Sequence, residues 1–383
     1  MLVYIILANL IMATVLYPFI GTRNSETTFS AILGTTYHWI EAIIAVIYNI
    51  ICLLYYVEQQ SVFKLIILSS AISLGVGILQ QGVYFEIPGF SAVYSSLEDI
   101  LNLANYRTVQ NRGFSCFGSE PASAGRYILL AFPALFCSIR YFEKTVRKIW
   151  FRILLFALTL LFFTSTSSTV IILLVVFLCT ALVCLSRKNP LLRIWLVSVF
   201  GFGFVYVLFY TFGHPECVSV SLNSENTFVY NLLGKAFDTT NQSTAHRISS
   251  VIVDMRLFFS EFFFTGVGSG IQGFFYNQYV PNWCLISSET RALVSGEVGI
   301  SNGGGSFFPV VLSAFGFIGI CVFGTFVKKY IHMYKNAQDT PENRAWKTFF
   351  ILGIAGFLLD GWFSSGITSN QPVAFLLAIP FVL

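Results

Sequence analysis

Two stretches of the sequence hold most of the residues that could do chemistry. The first, "RGFSCFGSEPASAGRYILL" (112–130), carries Arg112, Glu120 and Arg126 and turns from polar to apolar along its length. The second, "HRISSVIVDMRLFFSEFFFTGVGSG" (246–270), carries His246, Arg247, Asp254 and Arg256 ahead of a run of glycines. Arginine offers a flat, permanently charged fork that grips phosphate or carboxylate through paired N–H donors. Glu120 and His246 are groups that can take a proton from a hydroxyl. Arginines so placed suit an anionic ligand that carries phosphate or carboxylate. No CxxC or zinc spacing is present, so no metal and no cofactor is expected.

The elements that must position these residues are membrane helices. The chain has 383 residues, 56% hydrophobic and 10% charged, where soluble domains carry about 25% charged residues. Mean hydropathy is +0.74. A net charge of +4 is too small to argue for nucleic acid. Runs of roughly 20 apolar residues span a bilayer, and the candidates are 1–20, 31–57, 62–80, 121–139, 150–165, 168–185, 193–212, 305–327, 347–363 and 371–383. The expected fold is all-α: a polytopic helix bundle with about 10 transmembrane helices, one integral membrane domain over 1–383. The apolar start at Met1, with no basic segment before it, reads as a retained first span.

Charge sets the orientation, because Lys and Arg favour cytoplasmic loops. The connections 139–152, 186–193 and 328–347, with Lys64, hold most of the basic residues and fall on one side of ten alternating spans. Both termini then lie in the cytoplasm, and the outer side receives two long loops, 81–120 and 213–304. The basic residues left for that side are Arg23, Arg107, Arg112, Arg126, Lys235, Arg247, Arg256 and Arg291. All but one are arginine, whereas the cytoplasmic set mixes lysine and arginine. The bias points to an anionic ligand; pairing with Glu98, Asp99, Glu120, Asp254 and Glu261 is the competing account.

Local patterns refine this. Pro121 suits the first turn of a helix, which puts Glu120 at its lip, either as a simple cap or as a reactive group. Arg126 then lies roughly 9 Å deeper. Apolar residues keep helical spacing from 248 to 262, and the glycines are expected to end that helix in a flexible loop. On a continuous helix Arg247 and Arg256 differ by about 180°, so they grip one phosphate only if the helix breaks. "GSGIQG" (268–273) is not a dinucleotide fingerprint, since no strand precedes it; it reads as backbone that must approach another group closely. "SAVYSSLEDILNLANY" (91–106) suits a helix on the membrane surface. His38 and Glu41 should bond each other. Asp360 either caps polar backbone or lines a cavity. Cys217 and Cys284 either bridge or stay reduced.

These motifs resemble a family. "RGFSCFGSEPASAG" is similar to the arginine-rich loop and Glu-Pro-Ser motif of Wzy-type O-antigen and capsular repeat-unit polymerases, with Ala122 in the place of the Ser. Arg107 and Gly118 fit the R-x10-G pattern of such loops. "HRISSVIVDMRLFFSEFFFTGVGSG" is similar to the Arg…Gly-x-Gly stretch shared with the O-antigen ligases. The resemblance implies a GT-C-like fold and a glycosyl transfer on the outer face of a bacterial plasma (inner) membrane. The donor and the acceptor would be undecaprenyl-diphosphate-linked glycans, with membrane lipid and a chain-length regulator as further partners and no nucleic acid. It places Glu120 and His246 in catalysis and Arg107, Arg112, Arg126, Arg247, Arg256 and Asp360 in binding diphosphate or glycan. The alternatives are O-antigen ligase and a lipid-linked oligosaccharide flippase. A ligase would carry a His-Asn pair where Gly305 and Ser306 stand and a Glu where Ala314 stands, which favours the polymerase.

Overall fold

A computed structural model describes residues 1–23, 26–56, 58–101, 103–117, 121–142, 145–165, 167–185, 205, 238–299, 305–363 and 371–383. Among the described residues the regular structure is helical apart from one two-residue ladder, in which Thr22 pairs with Thr27 and Arg23 with Glu26. In chain order the main helices are α1 (Leu2–Ile20), α2 (Thr28–Ile51), α3 (Gln59–Tyr84), α4 (Phe90–Leu101), α5 (Tyr106–Arg112), α6 (Pro121–Cys137), α7 (Thr145–Phe163) and α8 (Ser168–Leu185). They continue with α9 (Gln242–Phe258), α10 (Ser288–Ser295), α11 (Phe307–Asn336), α12 (Pro341–Phe363) and α13 (Gln371–Ala378). Each expected span overlaps one of these helices except 193–212, which lies outside the described residues apart from Val205.

Among the described residues, four helical stretches are long and apolar enough to cross a membrane: Leu2–Ile20, Thr28–Tyr55, Ser61–Tyr84 and Phe307–Asn336. Their outward faces stay greasy, as at Leu7, Phe19, Leu33 and Leu65, which suits lipid rather than water. α6 starts at Pro121 as its ring geometry favours. α2 starts on a capping box in which Thr27 and Ser30 satisfy each other's backbone N–H groups.

The main core gathers α3, α6, α7, α8, α12 and α13, with Phe132, Leu135, Phe162, Leu174, Phe349 and Leu376 fully or almost fully enclosed. A second core joins α1 and α2 to the segment after α9, through Met12, Ala13, Ile32, Val267 and Ile271. α9 itself is no apolar span. It packs along α11 and reaches the end of α12, where Trp362 meets Val251 and Met255.

α11 is broken at Gly316, whose φ of 57° and ψ of −161° no side chain-bearing residue tolerates. A break frees backbone groups that hydrocarbon cannot solvate. The glycine segment takes them up: Val267 N donates to Ser313 O at 2.9 Å and Gly268 N to Ala314 O at 2.9 Å. In return Phe317 N donates to Phe263 O at 2.7 Å and Ile318 N to Phe264 O at 3.1 Å. A Cβ on Gly266 would collide with the Ala314 backbone, and one on Gly316 with Gly266 N. The sequence expectation of close backbone approach holds here. The expectation of a flexible loop does not, because the segment is bonded into the break and pinned again by Asn9. That buried side chain in α1 accepts from Ser269 N at 3.0 Å and donates to Ser269 Oγ at 2.8 Å and Thr36 Oγ1 at 2.9 Å. α9 also stops at Phe258 rather than running to 262, since the chain turns there toward the break.

Candidate functional site

α9 is the scaffold of the site. Its N-cap Asn241 accepts from Ser243 N and Thr244 N, which fixes the first turn just before His246 and Arg247. The helix runs unbroken through Arg256, so the two arginines point apart. Arg247 Nη1 donates to Thr169 Oγ1 at 2.7 Å, and Arg256 Nη1 donates to the Tyr279 carbonyl at 2.8 Å. A single phosphate does not bridge both of them in this arrangement.

The Arg247 contact joins the two motif stretches. Thr169 opens α8, and its neighbour Val170 packs against Gly125 in the first turns of α6, where a Cβ would stand 3.6 Å from the Val170 side chain. The Arg247 guanidinium is thereby set beside the start of the helix that carries Arg126 and begins next to Glu120. Glu120 lies outside the described residues. Arg112 and Arg126 lie in helical backbone, but their side chains are outside the described set. Arg107 is exposed on α5. Asp360 is buried in the last turns of α12, beside Gly361, which packs on Phe308.

The Arg112 end of the first stretch is held by residues that the sequence reading missed. Gln80, fully buried in α3, accepts from Ser115 N at 2.9 Å and Cys116 N at 2.8 Å. Its amide donates to Cys116 O at 3.0 Å and Tyr94 OH at 3.3 Å, and Tyr94 in turn donates to Ala104 O. Phe114 is driven under Phe162. One amide thus uses its donors and its acceptor to fix the turn after Arg112, in which Cys116 adopts a φ of 53°. A glutamine inside an apolar helix is the sequence signal for such a clamp.

His246 is half-buried with both ring nitrogens engaged. Nε2 lies 3.2 Å from Glu289 Oε2, and Nδ1 lies 3.3 Å from Thr290 Oγ1, both on α10. Burial holds the imidazole below its ordinary pKa; Glu289 pulls the other way, and Arg247 adds to the lowering. Asp254 is fully enclosed between α9 and the break. Ser313 Oγ donates to its Oδ1 at 2.9 Å, and its Oδ2 has no partner. Burial raises this carboxyl to about 8, against the opposing Ser313 hydrogen bond. Asp254 therefore carries its proton at neutral pH and is no counter-ion for Arg247. The expected His38–Glu41 contact is present at 3.5 Å on the exposed face of α2. The proposed Cys217–Cys284 bridge involves Cys217, outside the described residues.

No protein-family model, curated protein or solved structure matches this chain.

Proposed function

We propose that this chain is an oligosaccharide repeat-unit polymerase of the plasma membrane. It joins undecaprenyl-diphosphate-linked units by metal-independent glycosyl transfer. A hydroxyl of one unit attacks the anomeric carbon of another, and undecaprenyl diphosphate leaves. Arginines stabilise the charge that develops on the departing diphosphate, and a group of the outer loops accepts the hydroxyl proton.

The observation that carries the reading is the placement of α9. The helix bearing His246, Arg247 and Arg256 is not a span, yet it is locked to a broken apolar helix by the glycines that follow it. Arg247 reaches the helix pair α6–α8 near the start of α6. Ten spans, outward-facing loops 81–120 and 213–304, and cytoplasmic termini complete the proposed arrangement.

Deleting the gene and resolving the surface polysaccharide on a gel tests this. A polymerase mutant shows single repeats without a ladder. Uncapped lipid A core beside an intact lipid-linked polymer would mean a ligase. Loss of both with cytoplasmic intermediates would mean a flippase, the reading that a broken apolar helix also suits. In the complemented strain, Arg112→Ala, Arg247→Ala and Arg256→Ala should each abolish the ladder. The lysine variants should cripple it at normal protein level, because lysine keeps the charge and loses the fork. Wild-type ladders from all three lysine variants would refute the diphosphate role.

A further inference from the structure

Glu289 was not among the residues singled out by the sequence, and its setting differs from that of an ordinary surface carboxylate. It sits in the first turn of α10, whose start is fixed by Ser287 accepting from Thr290 N. Its side chain is 72% exposed, while that of His246 is only 26% exposed. An ionised carboxylate only accepts, so His246 Nε2 must carry the hydrogen between them. The neutral ring then presents a lone pair at Nδ1, and the Thr290 hydroxyl is there to donate to it. Ser249 lies 3.2 Å behind Thr290, with its own hydrogen given to the His246 carbonyl at 2.7 Å. The tautomer is thus set by Glu289, with Thr290 behind the ring, and the ring N–H is aimed at Glu289.

This arrangement leaves His246 no free lone pair for an incoming hydroxyl. It leaves Glu289 open to solvent and oriented. The adjacent Arg247 supplies a cation on the same turn of α9.

We propose that Glu289 is the general base of the transfer and that His246 is the positioning residue that holds it; this rests on the polymerase reading above. The acceptor O–H bond breaks and its proton passes to a Glu289 oxygen. The freed oxygen pair forms the bond to the anomeric carbon. The carbon–oxygen bond to the diphosphate breaks, and its electron pair leaves on undecaprenyl diphosphate. The Glu289 carboxyl then releases its proton to water on its exposed side.

The test uses the full-length protein in proteoliposomes, fed with lipid-linked units extracted from the deletion strain. Glu289→Gln should lower kcat by about 100-fold or more with KM within about threefold, since an exposed amide keeps shape and loses basicity. His246→Ala should lower kcat on the order of 10-fold. His246→Gln, which can return an N–H near the Nε2 position, should recover most of that loss; a residue needed only for folding would show no such rescue. Wild-type turnover by Glu289→Gln, or no difference between His246→Gln and His246→Ala, overturns the proposal while the polymerase reading stands. Failure of the wild-type protein to lengthen these units removes both.

Discussion

Asp254 shows how far a residue's surroundings outweigh its type. In the sequence it reads as one of the acids available to pair with the outer arginines. In the folded chain it is enclosed against the break in α11, with one oxygen on Ser313 and the other unpartnered. Its carboxyl rises from an ordinary 3.8 to about 8. Between those values the folded state holds a proton that the unfolded state has lost, so stability is full below pH 4 and falls as pH rises toward 8. The limiting slope is about 1.4 kcal/mol per pH unit. His246, with its lowered pKa, works in the opposite direction, losing stability as pH falls. The comparison of Asp254→Asn with wild type isolates the carboxyl. The apparent Tm of wild type in detergent should drop relative to Asp254→Asn by several degrees between pH 5 and pH 8. Parallel curves for the two proteins would mean that Asp254 is ionised in the fold.

At the scale of elements, the joint between the glycine segment and α11 is the feature on which the site depends. Gly266 and Gly316 meet backbone to backbone, and both have positive φ. Alanine at either position adds a strained conformation to a collision with main chain that cannot step aside. Gly324, in the same helix α11, has nothing within 4 Å of a Cβ. Gly316→Ala and Gly266→Ala should each destabilise the detergent-solubilised protein by about 2 kcal/mol or more, whereas Gly324→Ala should be neutral or stabilising by up to about 1 kcal/mol. Equal thermal stability of all three variants would show that the break is not held as described. The Gln80 clamp on the turn after Arg112 is the counterpart of this joint in the other motif stretch, and there too a buried polar group fixes backbone that would otherwise be unsatisfied.

For the whole molecule, the membrane sidedness proposed from charge is open to direct measurement. Ser243 and Gln338 are exposed, the first at the start of α9 and the second between α11 and α12. In intact cells a membrane-impermeant thiol reagent should label Ser243→Cys and leave Gln338→Cys unlabelled, read peptide by peptide so that native cysteines do not confuse the count. Labelling only at position 338 would invert the arrangement and place the candidate site in the cytoplasm, away from any outer-face transfer.

The sequence by itself determined the helical, membrane-bound character, because apolar runs, charge-poor segments and Pro121 act through local physics that needs no partner. It also foretold that Arg247 and Arg256 would diverge along a continuous helix, since helical periodicity is a local property. Only the tertiary structure decided the rest. Which backbone the glycines approach depends on where α11 breaks, and Gly316 does not announce that among 29 glycines. The Gln80 clamp joins positions far apart in the chain. His246 reads as a base until α10 is folded against it and occupies both ring nitrogens. Glu289 and Asp254 are each one carboxylate among many in the sequence; burial and neighbours, which are set by packing across helices, make one an open acceptor and the other a held acid.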